Sequence, residues 1–126
     1  MSRILLVDDN APALSSTAVV LTGWGHEVRL VEDGRAALVV VRTWVPELAL
    51  VDIGLPGMDG IQLAAELRRQ PALGGCRIIA MSALWREEDE ARLHAADVDH
   101  FLRKPLEVSI LHSLLGWRGR SLCWPR

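Results

Sequence analysis

Ile4-Leu5-Leu6-Val7-Asp8-Asp9 and Leu48-Ala49-Leu50-Val51-Asp52 decide how this chain folds. Each is an aliphatic run of strand length that stops abruptly at carboxylate. Strands of a parallel sheet bury both faces, so they read as continuous apolar runs. Ligands of such sheets gather outside the carboxyl ends of the strands, where the strand order reverses. If these two runs are neighbours, three carboxylates meet in one crevice. Two unit charges about 5 Å apart repel by on the order of 3 kcal/mol at an effective dielectric of about 20. A cation has to answer such a cluster. The natural answers are a hard, oxygen-seeking ion such as Mg2+ and a lysine ammonium.

Outward from these runs the pattern alternates. A helical stretch from about Pro12 to Trp24 follows the first run, with Pro12 in its first turn, and Gly23-Trp24-Gly25 ends it. Glu27 to Val31 reads as a second strand, less apolar because of Glu27 and Arg29, and therefore suited to an edge. Asp33 caps a helix expected to run to about Trp44, with Pro46 as its stop. After the third strand, Leu48 to Val51, Asp59 caps a helix over Gly60 to Arg69 whose Ile61, Leu63, Ala64 and Leu67 share a side. Arg77 to Met81 is a fourth strand, Glu87 to Ala96 a charged helix carrying Ala91, Leu93 and Ala95, Asp99 to Leu102 a fifth strand, and Glu107 to Gly116 a final helix. Five strands alternating with five helices predict a three-layer α/β fold of the flavodoxin-like kind, a parallel sheet in the order 2-1-3-4-5. That order makes the first and third strands neighbours and puts the acids at the switch point.

At 126 residues the chain has the length of one domain, with half its residues apolar and 24% charged. A net charge of -2 gives no footprint for direct nucleic-acid binding, and the basic stretch Trp117-Arg118-Gly119-Arg120 is too short to argue for it. No run approaches the roughly 18 apolar residues of a membrane span. Cys76 and Cys123 lack metal-type spacing. Cytoplasmic residence is the expectation. Residues 1–116 read as one domain, and 117–126 as a short tail without an output domain.

Two more strand ends complete the constellation. Ser82 follows the fourth strand, and Lys104, ahead of Pro105, follows the fifth. A carboxylate can act as a nucleophile toward phosphorus and form an acyl phosphate. Phosphoryl transfer then needs alignment and charge neutralisation more than covalent help. A hard metal ion, an ammonium and a hydroxyl meet that need.

The motifs Val7-Asp8-Asp9-Asn10, Asp52-Ile53-Gly54-Leu55-Pro56-Gly57-Met58-Asp59-Gly60, Met81-Ser82-Ala83 and Lys104-Pro105, in this order, make residues 3 to 116 resemble the receiver domain of bacterial two-component response regulators, of the chemotaxis-regulator kind. The resemblance implies that Asp52 is the phosphoacceptor. It implies that Asp9 and Asp52 ligate Mg2+ directly, Asp8 through water, and the Gly54 carbonyl completes the set. Ser82 and Lys104 would bind phosphoryl oxygens, Ser82 and Phe101 would form the switch, and the Lys104-Pro105 peptide would be cis. Such a domain takes its phosphoryl group from a histidine kinase or histidine phosphotransfer protein. It catalyses only its own phosphorylation and dephosphorylation, so it is not an enzyme in the ordinary sense. It reports to a downstream protein partner through the face of the fourth helix, fifth strand and fifth helix. On this reading Ser82 is drawn toward the phosphoryl group, Phe101 enters the space left, and Trp85 senses the loop.

Several of these residues also have plain structural readings. Asp8-Asp9-Asn10 has the composition of a helix cap, and Asp52 that of a turn ahead of Gly54 and Pro56. Phe101 suits a core, Asp59 a cap, and Glu87, Glu88, Asp89 and Glu90 a solvated first helical turn. Trp24, Trp44 and Trp117 suit helix ends. Two other functions in the same class remain open: the receiver portion of a hybrid histidine kinase, and a receiver-like interaction module that is never phosphorylated. A haloacid-dehalogenase phosphatase needs a second acid two residues beyond its aspartate, where this chain has Gly54. A flavodoxin would hold an FMN phosphate that three carboxylates repel.

Overall fold

In the computed structural model, which describes residues 2–84 and 86–116, five parallel strands form one sheet in the order β2-β1-β3-β4-β5. The strands are β1 (Arg3–Val7), β2 (Glu27–Val31), β3 (Leu48–Asp52), β4 (Arg77–Ser82) and β5 (His100–Arg103). The helices are α1 (Ala11–Gly23), α2 (Gly34–Val40), α3 (Gly60–Arg68), α4 (Glu87–Ala95) and α5 (Val108–Gly116), with a 3-10 turn at Pro71–Leu73. The expected order is the observed one, and the weakly apolar β2 is an edge. Trp85, Trp117 and the tail 117–126 lie outside the described residues.

Side chains alternate across a strand, so each strand feeds two cores. Leu5, Val7, Ala49, Val51, Ile78, Ala80 and Phe101 point to the side covered by α2, α3 and α4. Ile4, Leu6, Leu48, Leu50, Ile79, Met81 and Leu102 point to the side of α1 and α5, against Leu14, Leu21 and Leu111. Registry pairs Val7 with Val51 and Asp52 with Met81, which sets the ends of β1, β3 and β4 side by side.

The caps set where helices leave this rim. Asn10 Oδ1 accepts from the Ala13 amide at 3.2 Å, and Asp33 Oδ1 from Ala36 at 2.8 Å. Asp59 forms a reciprocal capping box with Gln62, at 2.8 and 3.0 Å. The helix after Asp33 stops at Val40, short of the expected Trp44. Consecutive β-branched Val39, Val40 and Val41 hold a helix poorly. Tight turns over Arg42 to Trp44 then bring the Trp44 ring into the core, where its indole N–H donates to Glu27 at 2.8 Å. Trp24 follows the last turn of α1, edge-on to His112 at 5.0 Å. On α4, Leu93 is buried while Ala91 and Ala95 face water, so the apolar contact of this helix is narrower than its sequence indicated.

At the end of the sheet away from the acids, the Arg68 guanidinium donates to the Leu73 and Cys76 carbonyls at 3.1 and 2.7 Å, and to the Asp97 carbonyl and the Asp99 carboxylate at 3.0 Å each. Asp99, 1% exposed, also accepts from the Ile78 amide at 2.9 Å. This clamp ties α3 to the starts of β4 and β5.

Gly60, the first residue of α3, presses on the end of β3 beside Asp52. A Cβ there would lie 2.2 Å from the Asp52 carbonyl oxygen and 2.5 Å from the Ile53 Cα. Neither backbone atom can swing away. Gly60→Ala should therefore push α3 off the end of β3 and cost about 1–3 kcal/mol or more, the range for forced overpacking. A urea midpoint equal to wild type would show that the helix accommodates the methyl freely.

Candidate functional site

The residues singled out in the sequence converge on one rim, because each is the last residue of a strand or lies just after it. Asp8 and Asp9 follow β1, Asp52 ends β3, Ser82 ends β4 and Lys104 follows β5. Asp8, Asp9 and Asp52 each offer a carboxylate oxygen within 4.8 Å of the others. Asp8 and Asp52 are buried and Asp9 is exposed. Asp8 Oδ1 accepts from the Asn10 amide at 3.0 Å, and Asp52 Oδ1 from the Gly54 amide at 2.9 Å. Their other oxygens share the Lys104 ammonium, at 2.7 Å from Asp8 and 3.0 Å from Asp52. Lys104 is brought there by its own backbone, whose amide donates to the Ser82 carbonyl at 2.8 Å. The Lys104-Pro105 peptide is cis.

The electrostatics follow from burial and proximity. Burial pushes the Asp52 carboxyl above the usual carboxylate range, and hydrogen bonds from the Gly54 amide and Lys104 offset this only in part. Burial alone would lower the Lys104 ammonium, but the hydrogen bonds to Asp8 and Asp52 raise it past its ordinary value. Lys104 is therefore a fixed positive charge at neutral pH. Burial thus makes Asp52 more basic than an ordinary carboxylate while the cation beside it favours its charged form, and basicity favours nucleophilic attack.

Asp52, Gly54, Ser82 and Lys104 line one side of a cavity of about 410 Å3. The Ser82 hydroxyl oxygen accepts from the Leu84 amide at 3.2 Å, which leaves its proton for an acceptor in the cavity. Phe101 is elsewhere: it is 2% exposed and packed in the core under α2, α3 and α4. In this conformation the ring already lies inside, and the expected movement of Phe101 when Ser82 is drawn inward belongs to the modified state.

Sequence reasoning assigned Asp59 only a cap. The structure adds that its second oxygen accepts from Arg92 of α4 at 2.9 Å, and that both residues line the cavity mouth. Arg92 carries no motif, and its place over the cavity depends on how α3 and α4 pack. Among the described residues no helix is long and apolar enough to cross a membrane.

A family model for the response regulator receiver domain matches residues 4–115. The gliding motility regulatory protein of Myxococcus xanthus is 36% identical over 110 residues, covering 86% of this chain. The sensor protein GacS of Pseudomonas syringae pv. syringae is 33% identical over 124 residues, covering 95% of this chain. The chain spans 14% of the length of each of these two proteins. In structure it is similar to the receiver domain of a sensor histidine kinase from Pseudomonas aeruginosa PAO1, solved with a magnesium ion coordinated in its active-site cleft. The TM-score is 0.82 at 30% identity, over 90% of this chain and 93% of that one.

Proposed function

The chain belongs to the response regulator receiver family of two-component signal transduction, and from that premise we propose that Asp52 is its phosphoacceptor. The observation that carries the reading is the Lys104 ammonium held 2.7 and 3.0 Å from the buried carboxylates of Asp8 and Asp52, with Asp52 and Lys104 on the lining of an open cavity. A cation in that position neutralises the acids and faces the space an incoming phosphoryl group would fill.

The donor set fits Mg2+. Three carboxylates within 4.8 Å of one another are hard oxygen ligands, and neither histidine nor cysteine is among them. Asp8, Asp9, Asp52 and the Gly54 carbonyl would hold the ion, which when bound neutralises charge on the transferring group. The rest is work for the protein's own residues. One Asp52 oxygen forms a bond to phosphorus as the bond from phosphorus to the donor's imidazole nitrogen breaks, and the imidazole leaves with the electron pair. Lys104 holds one equatorial oxygen and the Ser82 hydroxyl donates to another, as a preorganised charge-stabilising pair. Water attacking the same phosphorus reverses the modification, so the chain acts only on itself and turns over no other substrate.

The donor is a histidine kinase or histidine phosphotransfer protein in the cytoplasm, and the output is a protein contact through α4, β5 and α5. Exposed apolar Val108 and Ile110 on α5 support an interaction face there. The response is a shift in population with Ser82 and Phe101 as the switch, the ring starting from an inward position. A second reading, the receiver portion of a hybrid histidine kinase, draws on the similarity to the sensor protein GacS over 95% of this chain. The chemistry at Asp52 is the same in both.

Incubation with acetyl phosphate and Mg2+ should add one phosphoryl mass to the intact protein. A chelator should abolish the addition, and Asp52→Asn should not acquire it. Labelling of Asp52→Asn to the wild-type extent would move the acceptor elsewhere. A wild type that stays unlabelled under every condition would favour the interaction module that is never phosphorylated.

A further inference from the structure

The cavity that opens on Asp52 has a charged rim. Asp59 at the start of α3 and Arg86, Asp89 and Arg92 around α4 line it, two acids and two arginines whose formal charges cancel. Arg92 is the member that joins the two elements. Its guanidinium lies 2.9 Å from Asp59 and 3.7 Å from Asp89, with about half of its side chain exposed. The Asp59 carboxylate uses its other oxygen for the helix cap, so it is fixed at the mouth and cannot turn away from it. Burial alone would raise the Asp59 carboxyl, but the hydrogen bonds from Arg92 and from the Gln62 amide hold it below the usual carboxylate range. It is therefore a negative charge at neutral pH on the lining of the cavity that opens on Asp52.

We propose that Arg92 is a positioning residue that neutralises Asp59 at the cavity mouth and thereby sets how readily anions and cations reach Asp52. This rests on the reading of Asp52 as phosphoacceptor. The rim acts on the two co-reactants in opposite directions. With Arg92 removed, Asp59 and Asp89 leave the mouth net negative, so an anionic phosphodonor is repelled and Mg2+ is attracted. With the Asp59 charge removed, Arg92 leaves it net positive, and both effects invert. A latch role, in which the pair merely fastens α4 to α3, predicts that both single variants change in the same direction.

The test is a double-mutant cycle of Arg92→Gln and Asp59→Asn. The asparagine keeps an oxygen for the cap, and Arg92 is an exposed helical position, so both variants should fold. Two readouts are taken: the initial rate of labelling by acetyl phosphate, and Mg2+ affinity from the metal's effect on melting temperature. Arg92→Gln should label more slowly and bind Mg2+ more tightly. Asp59→Asn should label faster and bind Mg2+ more weakly, and the double variant should return to wild type. Arg92→Lys, which keeps the charge, should stay near wild type. Each single change should be on the order of threefold for a dianionic donor at low ionic strength, and should shrink in about 0.5 M salt. Shifts of the two single variants in the same direction, or shifts indifferent to salt, would overturn the proposal while leaving Asp52 as acceptor. A wild type that is never labelled, with Mg2+ affinity unmoved in all variants, would overturn both.

Discussion

Lys104→Met should keep the fold and lose about two orders of magnitude in the rate of phosphoryl transfer, the usual cost of removing one preorganised charge-stabilising donor. The ammonium is the group shared by Asp8 and Asp52, at 2.7 and 3.0 Å. Without it two buried carboxylates face each other with only amide donors at their other oxygens, and each amide carries a fraction of the charge. Two consequences separate this account from simple loss of structure. Burial and the Asp8 charge already raise the Asp52 carboxyl, and losing Lys104 should raise it further, so the metal-free variant should melt lower than wild type near neutral pH. Mg2+ should then raise the melting temperature of Lys104→Met more than that of wild type, because the ion replaces the missing positive charge and binds the native state alone. Transfer at the wild-type rate with Mg2+ saturating would show that Lys104 serves the fold and not the chemistry.

Arg68→Met should destabilise the domain by about 3–5 kcal/mol, the cost of removing one partner from a buried ion pair. Arg68 neutralises Asp99, which is 1% exposed, and satisfies three carbonyls at the turns before β4 and β5. Native domains are stable by only about 5–15 kcal/mol, so this is a large share of the total. Asp99→Asn placed on Arg68→Met should recover part of the loss, since an amide oxygen still accepts from Ile78 and the buried charge is gone. Denaturant titration of the three variants reads both effects. A loss below about 1 kcal/mol in Arg68→Met would mean that solvent reaches Asp99 and replaces the guanidinium.

Much of this architecture was legible in the chain because its signals are local. An aliphatic run ending in aspartate identifies a buried strand and its functional end together, so the order of the sheet and the convergence of Asp8, Asp52, Ser82 and Lys104 on one rim followed from periodicity and handedness. Asp33 and Asp59 capped the helices expected of them, because capping depends on three or four consecutive residues. What was not legible depended on packing between distant segments. The early end of α2 is set by burial of Trp44 against Glu27, a contact between elements. Arg68 gave no signal, since its partners Leu73, Cys76, Asp97 and Asp99 meet only after β4 and β5 are aligned. Arg92 reaches Asp59 across 33 residues.

The central claim is that the Asp52 carboxylate itself takes the phosphoryl group, and chemical trapping tests it most directly. An acyl phosphate is reduced by borohydride to the alcohol, while an unmodified carboxylate and phosphate esters or amides are not. After exposure to acetyl phosphate and Mg2+, then borohydride, peptide mapping should find homoserine at position 52, and aspartate there when a chelator is present. Homoserine at Asp8, Asp9 or any other acid, with Asp52 intact, would contradict the account.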